Sequence, residues 1–390
     1  MTGAIPSVFL WFSQALTSVT MLKKGEVMRQ FDSKQDFCQW LNEFKHPNLV
    51  EGWADHAGVL TISATGVFQI SIPFAANELI EELNAWVLKA QKMQAVAAFQ
   101  FSISVSIKTL QTQVSQPIKG VKNVIAVTSA KGGVGKSTTS VNLALAIAKS
   151  GAKVGLLDAD IYGPSVPMMM GTEDAQPEVR DNKWMQPIKA HGIYTHSIGY
   201  LVDKSEAAIW RGPMASKALA QLVNETEWPE LDYLVIDMPP GTGDIQLTLS
   251  QQIPVTGAVI VTTPQDLALA DARKGAAMFN KVNVPVVGLV ENMSYHICSN
   301  CGEKEHIFGS GGAQSMSVEY GLSLLGQVPL HINLREDIDS GEPTVAKSTK
   351  DDSRNEHTQR YLALAERVCS CLYWQGNPKP DAISFHMVGD

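Results

Sequence analysis

The sequence predicts an α/β protein with a doubly wound, mostly parallel sheet and a small α+β domain in front of it. From residue 122 onward, short apolar runs rich in β-branched residues alternate with segments of helical spacing. This alternation is typical of a parallel sheet with helices on both faces. Before residue 110, helical and strand-like segments follow one another without that regular order, which indicates a separate domain.

The small domain is predicted over residues 31–110. Its expected elements are a helix around 37–41, two strands between 59 and 73, a helix over Asn77–Lys92 and a strand between 99 and 107. Residues 111–121 are polar and contain Pro117 and Gly120, which predicts a linker. The main domain then covers residues 122–375, and tails are expected at 1–30 and 376–390.

The main domain is predicted from a series of buried-strand patterns. The expected strands lie at 124–128, 154–157, 233–236, 257–263, 286–292 and 323–328. A helical pattern follows the first strand through Ile147, and another covers 267–281.

Composition excludes several classes of partner. The formal net charge is −8 and the chain has no long basic run, which argues against nucleic acid. The first twenty residues contain no Lys or Arg, and the apolar run around Val8–Phe12 is too short to span a bilayer. Five cysteines without a disulfide-like framework fit a reducing compartment. We therefore expect a cytoplasmic protein without a membrane partner.

A glycine-rich loop after the first strand of the main domain predicts a phosphate site. The loop runs from Ala130 to Thr138, and its end, Gly135-Lys136-Ser137, matches the P-loop pattern, although Ala130 stands where that pattern has glycine. Backbone N–H groups and the helix N-terminus would surround the phosphates, Lys136 would neutralise them, and Ser137 would ligate Mg²⁺. The predicted nucleotide-binding residues of the loop are Gly132, Gly133, Val134, Gly135, Lys136, Ser137 and Thr138.

Lys131 is a second lysine in a loop that usually has one. It does not reach the phosphates of its own loop easily from this position, which predicts a role at the nucleotide of a facing subunit. There it would act like an arginine finger. The alternative is a solvated surface lysine.

Polar residues at the ends of later strands complete the predicted site. Asp160 follows one strand and is placed to orient or deprotonate the attacking water, while Asp237 ends another and is expected behind Mg²⁺. Residues 239–244, which begin with two prolines, are interpreted as a switch loop rather than a plain connection. Asn292 also ends a strand, and its carboxamide is a candidate partner for an adenine edge.

A Cys-x-x-Cys pair predicts part of a metal site. Cys298 and Cys301 supply two thiolates, and a symmetric dimer would bring four together on its two-fold axis. Four thiolates suit a [4Fe-4S] cluster and zinc equally well. A zinc site within one chain, completed by His296 and His306, remains an alternative.

These motifs together resemble the Mrp/ApbC family of iron–sulfur cluster carrier ATPases. The resemblance rests on the lysine-containing P-loop, residues 158–165, residues 237–244, the cysteine pair and Trp210–Met214. It implies a homodimer that binds ATP and Mg²⁺, holds a [4Fe-4S] cluster on Cys298 and Cys301, and exchanges it with scaffold and apo iron–sulfur proteins. It also implies that Lys131 acts across the dimer and that Asp160 activates water.

Two rival functions share parts of this pattern. A MinD/ParA-like positioning ATPase with a structural zinc site shares the loop, but it should carry a membrane-binding amphipathic tail or a basic DNA-binding surface. Residues 376–390, with Pro378 and Pro380, indicate neither. An ATPase resembling the nitrogenase iron protein shares a cluster between subunits, but its cysteines lie in separate segments.

Overall fold

The computed structural model describes residues 28–202, 213–241, 243–298, 301–348 and 354–380. Contacts divide the chain into two compact units, residues 1–107 and 108–390. The predicted linker lies within the second unit, and the predicted domain boundaries stay predictions. Predicted features at 210–212, Thr242, Ser299 and Asn300, and most of both tails, lie outside the described residues.

The first unit packs helices on one small sheet. Strands β1 (Leu60–Ile62), β2 (Phe68–Ile72) and β3 (Phe101–Val105) form the sheet, with β1 antiparallel and β3 parallel to β2. Helix α1 covers Lys34–Leu41 and α2 covers Asn77–Lys92.

Aromatic side chains fill the space between these elements. Phe37 stacks on Phe68 with ring centroids 4.1 Å apart, and Trp40 stacks on Trp86 at 4.6 Å. Because aromatic side chains bury large areas, these rings add much to the core that the aliphatic residues of the unit form. The Ser33 hydroxyl accepts a hydrogen bond from the Asp36 N–H and so caps α1 at its N-terminus.

The second unit contains an eight-stranded sheet in the order β15-β12-β11-β4-β10-β5-β9-β8. The strands from β15 to β9 pair in parallel, and β8 pairs antiparallel with β9 at one edge. The strands of this sheet are β4 (Val121–Thr128), β5 (Val154–Asp158), β8 (Ile188–Ala190), β9 (Ile193–Ser197), β10 (Leu231–Asp237), β11 (Gly257–Thr262), β12 (Val286–Glu291) and β15 (Leu324–Gln327). The predicted α/β class with a mostly parallel sheet is confirmed.

Helices cover both faces of this sheet, which explains why the central strands are apolar throughout. All six residues of β11 and all six of β12 are buried. The helices are α3 (Lys136–Lys149), α4 (Val166–Met169), α5 (Pro213–Glu225), α6 (Asp244–Gln252), α7 (Asp266–Lys281), α8 (Gly312–Tyr320), α9 (Ile332–Asp339), α10 (Thr344–Lys347) and α11 (Asn355–Gln375).

Two short hairpins lie outside the large sheet. Strand β6 (Val179–Arg180) pairs with β7 (Trp184–Met185), and β13 (His296–Ile297) pairs with β14 (Lys304–Glu305). In the described part of the chain, no helix has the length and apolarity that a bilayer crossing requires.

A buried imidazole in β9 predicts an acid-sensitive fold. His196 in β9 is fully buried, and neither ring nitrogen has a hydrogen-bond partner among the described residues. Burial lowers the pKa of His196 to about 4 from the ordinary value of 6.5. Below pH 6.5 this histidine is protonated in the unfolded chain but stays neutral in the folded chain. The free energy of unfolding therefore falls as the pH falls from 6.5 towards 4.

We expect the unfolding free energy of wild type, relative to His196→Phe, to fall by about 2 kcal/mol between pH 7 and pH 5. Phe keeps a ring against Tyr200, whose ring is stacked on that of His196. Urea unfolding of both proteins across this range measures the difference, in which the other titrating groups cancel. A difference that does not change with pH would contradict the prediction.

Candidate nucleotide site and cysteine hairpin

The loop between β4 and α3 has the geometry of a phosphate cradle. Gly133 and Gly135 both have φ of +82°, a left-handed conformation that side chains disfavour. A Cβ added at Gly132 or Gly133 would meet nothing within 4 Å, so the space beside the loop is open. No side chain caps the N-terminus of α3, which leaves its first N–H groups for a ligand. The loop therefore fits a nucleotide phosphate.

Lys136 lies at the centre of the predicted site. Its side chain is 6% exposed, and Nζ lies 2.8 Å from Asp237 Oδ2 and 3.6 Å from Asp160 Oδ2. It also donates a hydrogen bond to Ser137 Oγ at 3.2 Å. The structure thus brings together four predicted residues from three elements. Bound phosphate oxygens would compete with the two carboxylates for this charge.

Asp237 is fully buried and holds the first turn of α3. The Ser137 hydroxyl donates to Asp237 Oδ2 at 2.6 Å, and the Ser140 hydroxyl donates to Oδ1 at 2.6 Å. A donated proton leaves the lone pairs of Ser137 Oγ available to a cation. Thr138, the next residue, is half-buried in the same turn of the helix.

The site fits Mg²⁺ only together with a nucleotide. Among the described residues, no three His, Cys, Asp or Glu side chains come together to hold a metal ion. Mg²⁺ in nucleotide sites takes most of its ligands from water and phosphates, so Ser137, with Asp237 behind it, is a suitable protein contribution. When bound, the ion would neutralise charge on the phosphates.

The two aspartates at the end of β5 have different surroundings. Asp158 accepts hydrogen bonds from the Ser165 N–H at 3.0 Å and the Ser197 hydroxyl at 3.1 Å, so it fastens the loop that carries Asp160. Burial, together with the nearby Asp237, raises the pKa of Asp158 to about 7. Burial also raises the pKa of Asp160, against the opposing effect of Lys136. A raised pKa favours a proton acceptor near neutral pH, which agrees with the predicted role of Asp160.

Lys131 is exposed, and within the described residues it takes part in no ion pair. Its backbone carbonyl accepts a hydrogen bond from the Ser129 hydroxyl at 2.9 Å, which fixes the start of the loop. The side chain is therefore free of acidic partners in this part of the chain. Its predicted action on a facing subunit stays a prediction.

Asn292 lies beneath the P-loop. Its Nδ2 donates to the Val134 carbonyl at 2.8 Å, and a Cβ at Gly135 would come within 2.1 Å of that nitrogen. The close approach explains why glycine is needed at 135 beyond its left-handed φ. The predicted contact with an adenine edge stays a prediction, and the structure adds a different partner that sequence reasoning missed.

Gln246 is a second residue that sequence reasoning missed. Its side chain is buried in α6, and Nε2 donates to Thr128 Oγ1 at 2.7 Å and to the Pro239 carbonyl at 2.5 Å. It therefore joins the end of β4 to the predicted switch loop. The Gly241 N–H, which donates to the Ser129 carbonyl at 2.9 Å, adds a backbone link to the same loop. The only hint in the sequence is a polar residue on the apolar face of α6.

The two predicted metal-binding cysteines lie at the tip of the β13–β14 hairpin. The Cys298 N–H donates to the Glu303 carbonyl at 3.0 Å, and the Gly302 N–H returns to the Cys298 carbonyl at 2.8 Å. Cys301 is exposed, Cys298 is half-buried, and neither forms a disulfide. The hairpin thus presents two thiols on one tight turn. The remaining cysteines, Cys38, Cys369 and Cys371, are buried.

The alternative of a zinc site within one chain stays a prediction, and the two histidines predicted for it lie beside backbone carbonyls. His296 Nδ1 lies 3.2 Å from the Leu330 carbonyl, and His306 Nδ1 lies 3.1 Å from the Ser294 carbonyl. Both imidazoles are thus engaged with the backbone rather than gathered around the thiols, and no group of three metal-binding side chains occurs among the described residues. A four-coordinate metal site that includes Cys298 and Cys301 would need two further ligands.

Comparisons with known proteins show which family the chain is similar to. A family model described as ParA, NUBPL iron-transfer P-loop NTPase, matches residues 120–369. The iron–sulfur cluster carrier protein of Salmonella typhimurium is 55% identical over 359 residues, which cover 89% of this chain and 95% of the relative. The iron–sulfur cluster transfer protein NUBPL of Mus musculus is 52% identical over 255 residues, covering 65% of this chain and 78% of the relative.

A solved structure shares the fold of the second unit. It is a nucleotide-binding protein from Archaeoglobus fulgidus in complex with ADP, in which cobalt was found. The TM-score is 0.53 at 38% identity, with 60% of this chain and 91% of that chain covered.

The contacts of Gln246 predict a role in positioning the switch loop. We expect Gln246→Leu to lower kcat for nucleotide hydrolysis about tenfold, because about 1.4 kcal/mol of positioning energy is lost with two buried hydrogen bonds. Steady-state phosphate release measures the effect. The matched control is Gln359→Leu, since Gln359 is exposed and donates only to Asn355 in the same helix. Equal rates in wild type and Gln246→Leu would contradict this role.

Proposed function

The chain belongs to the ParA-type family of NUBPL iron-transfer P-loop NTPases, and from this premise we propose that two copies hold a [4Fe-4S] cluster between them. The chain is a P-loop ATPase and an iron–sulfur cluster carrier in the sense of its family. The proposal adds the type of cluster, the dimer that binds it and the proteins that exchange it. The cluster is cargo here, and its recipients are apo iron–sulfur proteins.

The cysteine hairpin is the observation that carries the proposal. It offers two thiols at one exposed turn, and a [4Fe-4S] cluster is commonly held by four thiolates. A two-fold axis beside the hairpin of one copy would supply the other pair from the second copy. A cluster held on such an exposed turn is accessible to scaffold proteins that load it and to apo-proteins that receive it.

Each nucleotide site would be completed by the same dimer. Lys136 and the helix N-terminus would bind the phosphates, Ser137 would ligate Mg²⁺, and Asp160 would orient or deprotonate the attacking water. The exposed Lys131 of each copy would extend to the nucleotide bound by the other copy. Hydrolysis thereby becomes dependent on association of the two chains.

A labile cluster also restricts where the protein works. Thiolate ligands and iron–sulfur cargo require a reducing compartment, so we place the protein in the cytoplasm as part of this proposal. The alternative of a positioning ATPase with structural zinc rests on the shared loop, and no contact among the described residues favours it over cluster transfer.

We expect Lys136→Ala to reduce ATP hydrolysis at least about a hundredfold, because it removes the charge that stabilises the transferring phosphoryl group. Iron binding at the hairpin should persist in this variant. Phosphate release and iron content of the same preparation test both statements. The control is Lys122→Ala, which removes an exposed lysine paired with Asp232. ATPase activity that survives in Lys136→Ala would overturn the assignment of the P-loop.

Anaerobic reconstitution with iron and sulfide tests the cluster. We expect about four iron atoms per dimer and a visible chromophore in wild type, both lost in Cys298→Ala/Cys301→Ala. Cys38→Ala is the matched control, since Cys38 is buried and its thiol donates to the Ala54 carbonyl. One zinc per chain without a chromophore, or unchanged iron in the double variant, would contradict the proposal.

A further inference from the structure

We propose that the segment Glu291–Ser294 couples the P-loop to the cysteine hairpin, with Asn292 as the positioning residue. The segment begins at the last residue of β12, and one residue separates it from β13. It contacts the nucleotide loop through Asn292 and the end of the cysteine hairpin through Ser294. The inference deepens the proposed function, on which its biological meaning rests. Its test nevertheless reads thiol chemistry and needs no bound cluster.

The contact at the nucleotide end is tight. Asn292 is 7% exposed, and its Nδ2 donates to the Val134 carbonyl at 2.8 Å. The absence of a side chain at Gly135 is what allows this approach, since a Cβ there would lie 2.1 Å from Nδ2 and 3.8 Å from Met293 Cε. A shift of the loop towards or away from a phosphate must therefore move the amide or break its hydrogen bond.

The backbone of the segment is held in a strained conformation. Met293 has φ of +54°, a left-handed conformation that is unfavourable for a residue with a side chain. Hydrogen bonds fix it on both sides, from the Asn292 N–H to the Thr262 carbonyl at 2.8 Å and from the Ser294 N–H to the Val328 carbonyl at 3.0 Å. Strain at a single residue between two anchors is a natural place for a switch between two conformations.

A buried carboxylate ties the segment to the elements around the hairpin. Glu291 is fully buried and accepts hydrogen bonds from the Ser294 hydroxyl at 2.5 Å and Gln327 Nε2 at 2.7 Å. It also accepts from the Ala313 N–H at 3.1 Å, at the N-terminus of α8. A buried carboxylate is stable only while its hydrogen bonds are kept. A displacement of the segment should therefore move the partners of Glu291 with it.

The segment also contacts the end of the cysteine hairpin through a hydrogen bond. The Ser294 carbonyl accepts a hydrogen bond from His306 Nδ1 at 3.1 Å, and His306 immediately follows β14. Cys298 immediately follows β13. The hydroxyl of Ser294 therefore contacts Glu291 while its carbonyl contacts the hairpin, which makes Ser294 the junction of the two networks.

Thermodynamic linkage makes the proposal measurable. If nucleotide changes the position of the hairpin, the reactivity of its thiols changes as well. A ligand on the hairpin then changes nucleotide affinity by the same free energy as nucleotide changes the affinity of that ligand. The probe is iodoacetamide alkylation of Cys298 and Cys301 in the full chain, followed by peptide mass spectrometry, with and without saturating Mg-ADP. We expect Mg-ADP to change the wild-type rate by about fivefold or more.

Variants at the two ends of the segment identify the route. Ser294→Ala removes the hydroxyl donated to Glu291 but does not touch the P-loop, so it should bind ADP and yet show less than about a twofold change in alkylation rate. Asn292→Ala should lose the same response from the other end. The matched control is Asn224→Ala, because Asn224 is exposed and donates only to the Ala220 carbonyl of its own helix; it should keep the full response.

The outcomes separate this inference from the proposed function. A wild-type alkylation rate that ignores Mg-ADP, or a full response retained in both Ser294→Ala and Asn292→Ala, overturns the coupling even if iron binds. A response lost in those two variants and kept in Asn224→Ala supports it, even if reconstitution yields no cluster. Failure of iron binding alone would remove the proposed cargo and leave the coupling in place.

Discussion

One buried carboxylate, that of Asp237, fixes the nucleotide loop to the sheet. It ends the central strand β10 and receives the charge of Lys136 together with hydroxyl protons from Ser137 and Ser140. A buried carboxylate that lost these partners would be strongly destabilising. The first turn of α3 is therefore held at one position over the sheet, close to the glycine loop and to Asp160.

Much of the fold was predictable because its main strands are buried on both faces. Such strands appear as continuous apolar runs, as in residues 257–262 and 286–291, and their order along the chain indicates the parallel sheet. The edge strand β8 and the two-residue hairpins were not predicted, since stretches this short carry no measurable periodicity.

The candidate site was predictable in its motifs but not in its supporting contacts. The P-loop and the cysteine pair have fixed local spacings, so sequence alone located them. Ser140 and Gln246 contact partners that lie 97 and 118 residues away in the sequence, and no local pattern predicts such pairs. The backbone contacts of His296 and His306 could not be predicted for the same reason, because closeness in sequence does not determine what their rings contact.

The size of the cysteine hairpin has a consequence for how cargo is held. Two strands of two residues each bury little surface and retain few backbone hydrogen bonds, so this unit contributes little free energy of its own. Whatever binds the thiols would supply much of the order of the turn that carries them. Retention and release of a ligand on these thiols would then depend on local folding of the hairpin, while the rest of the molecule stays folded.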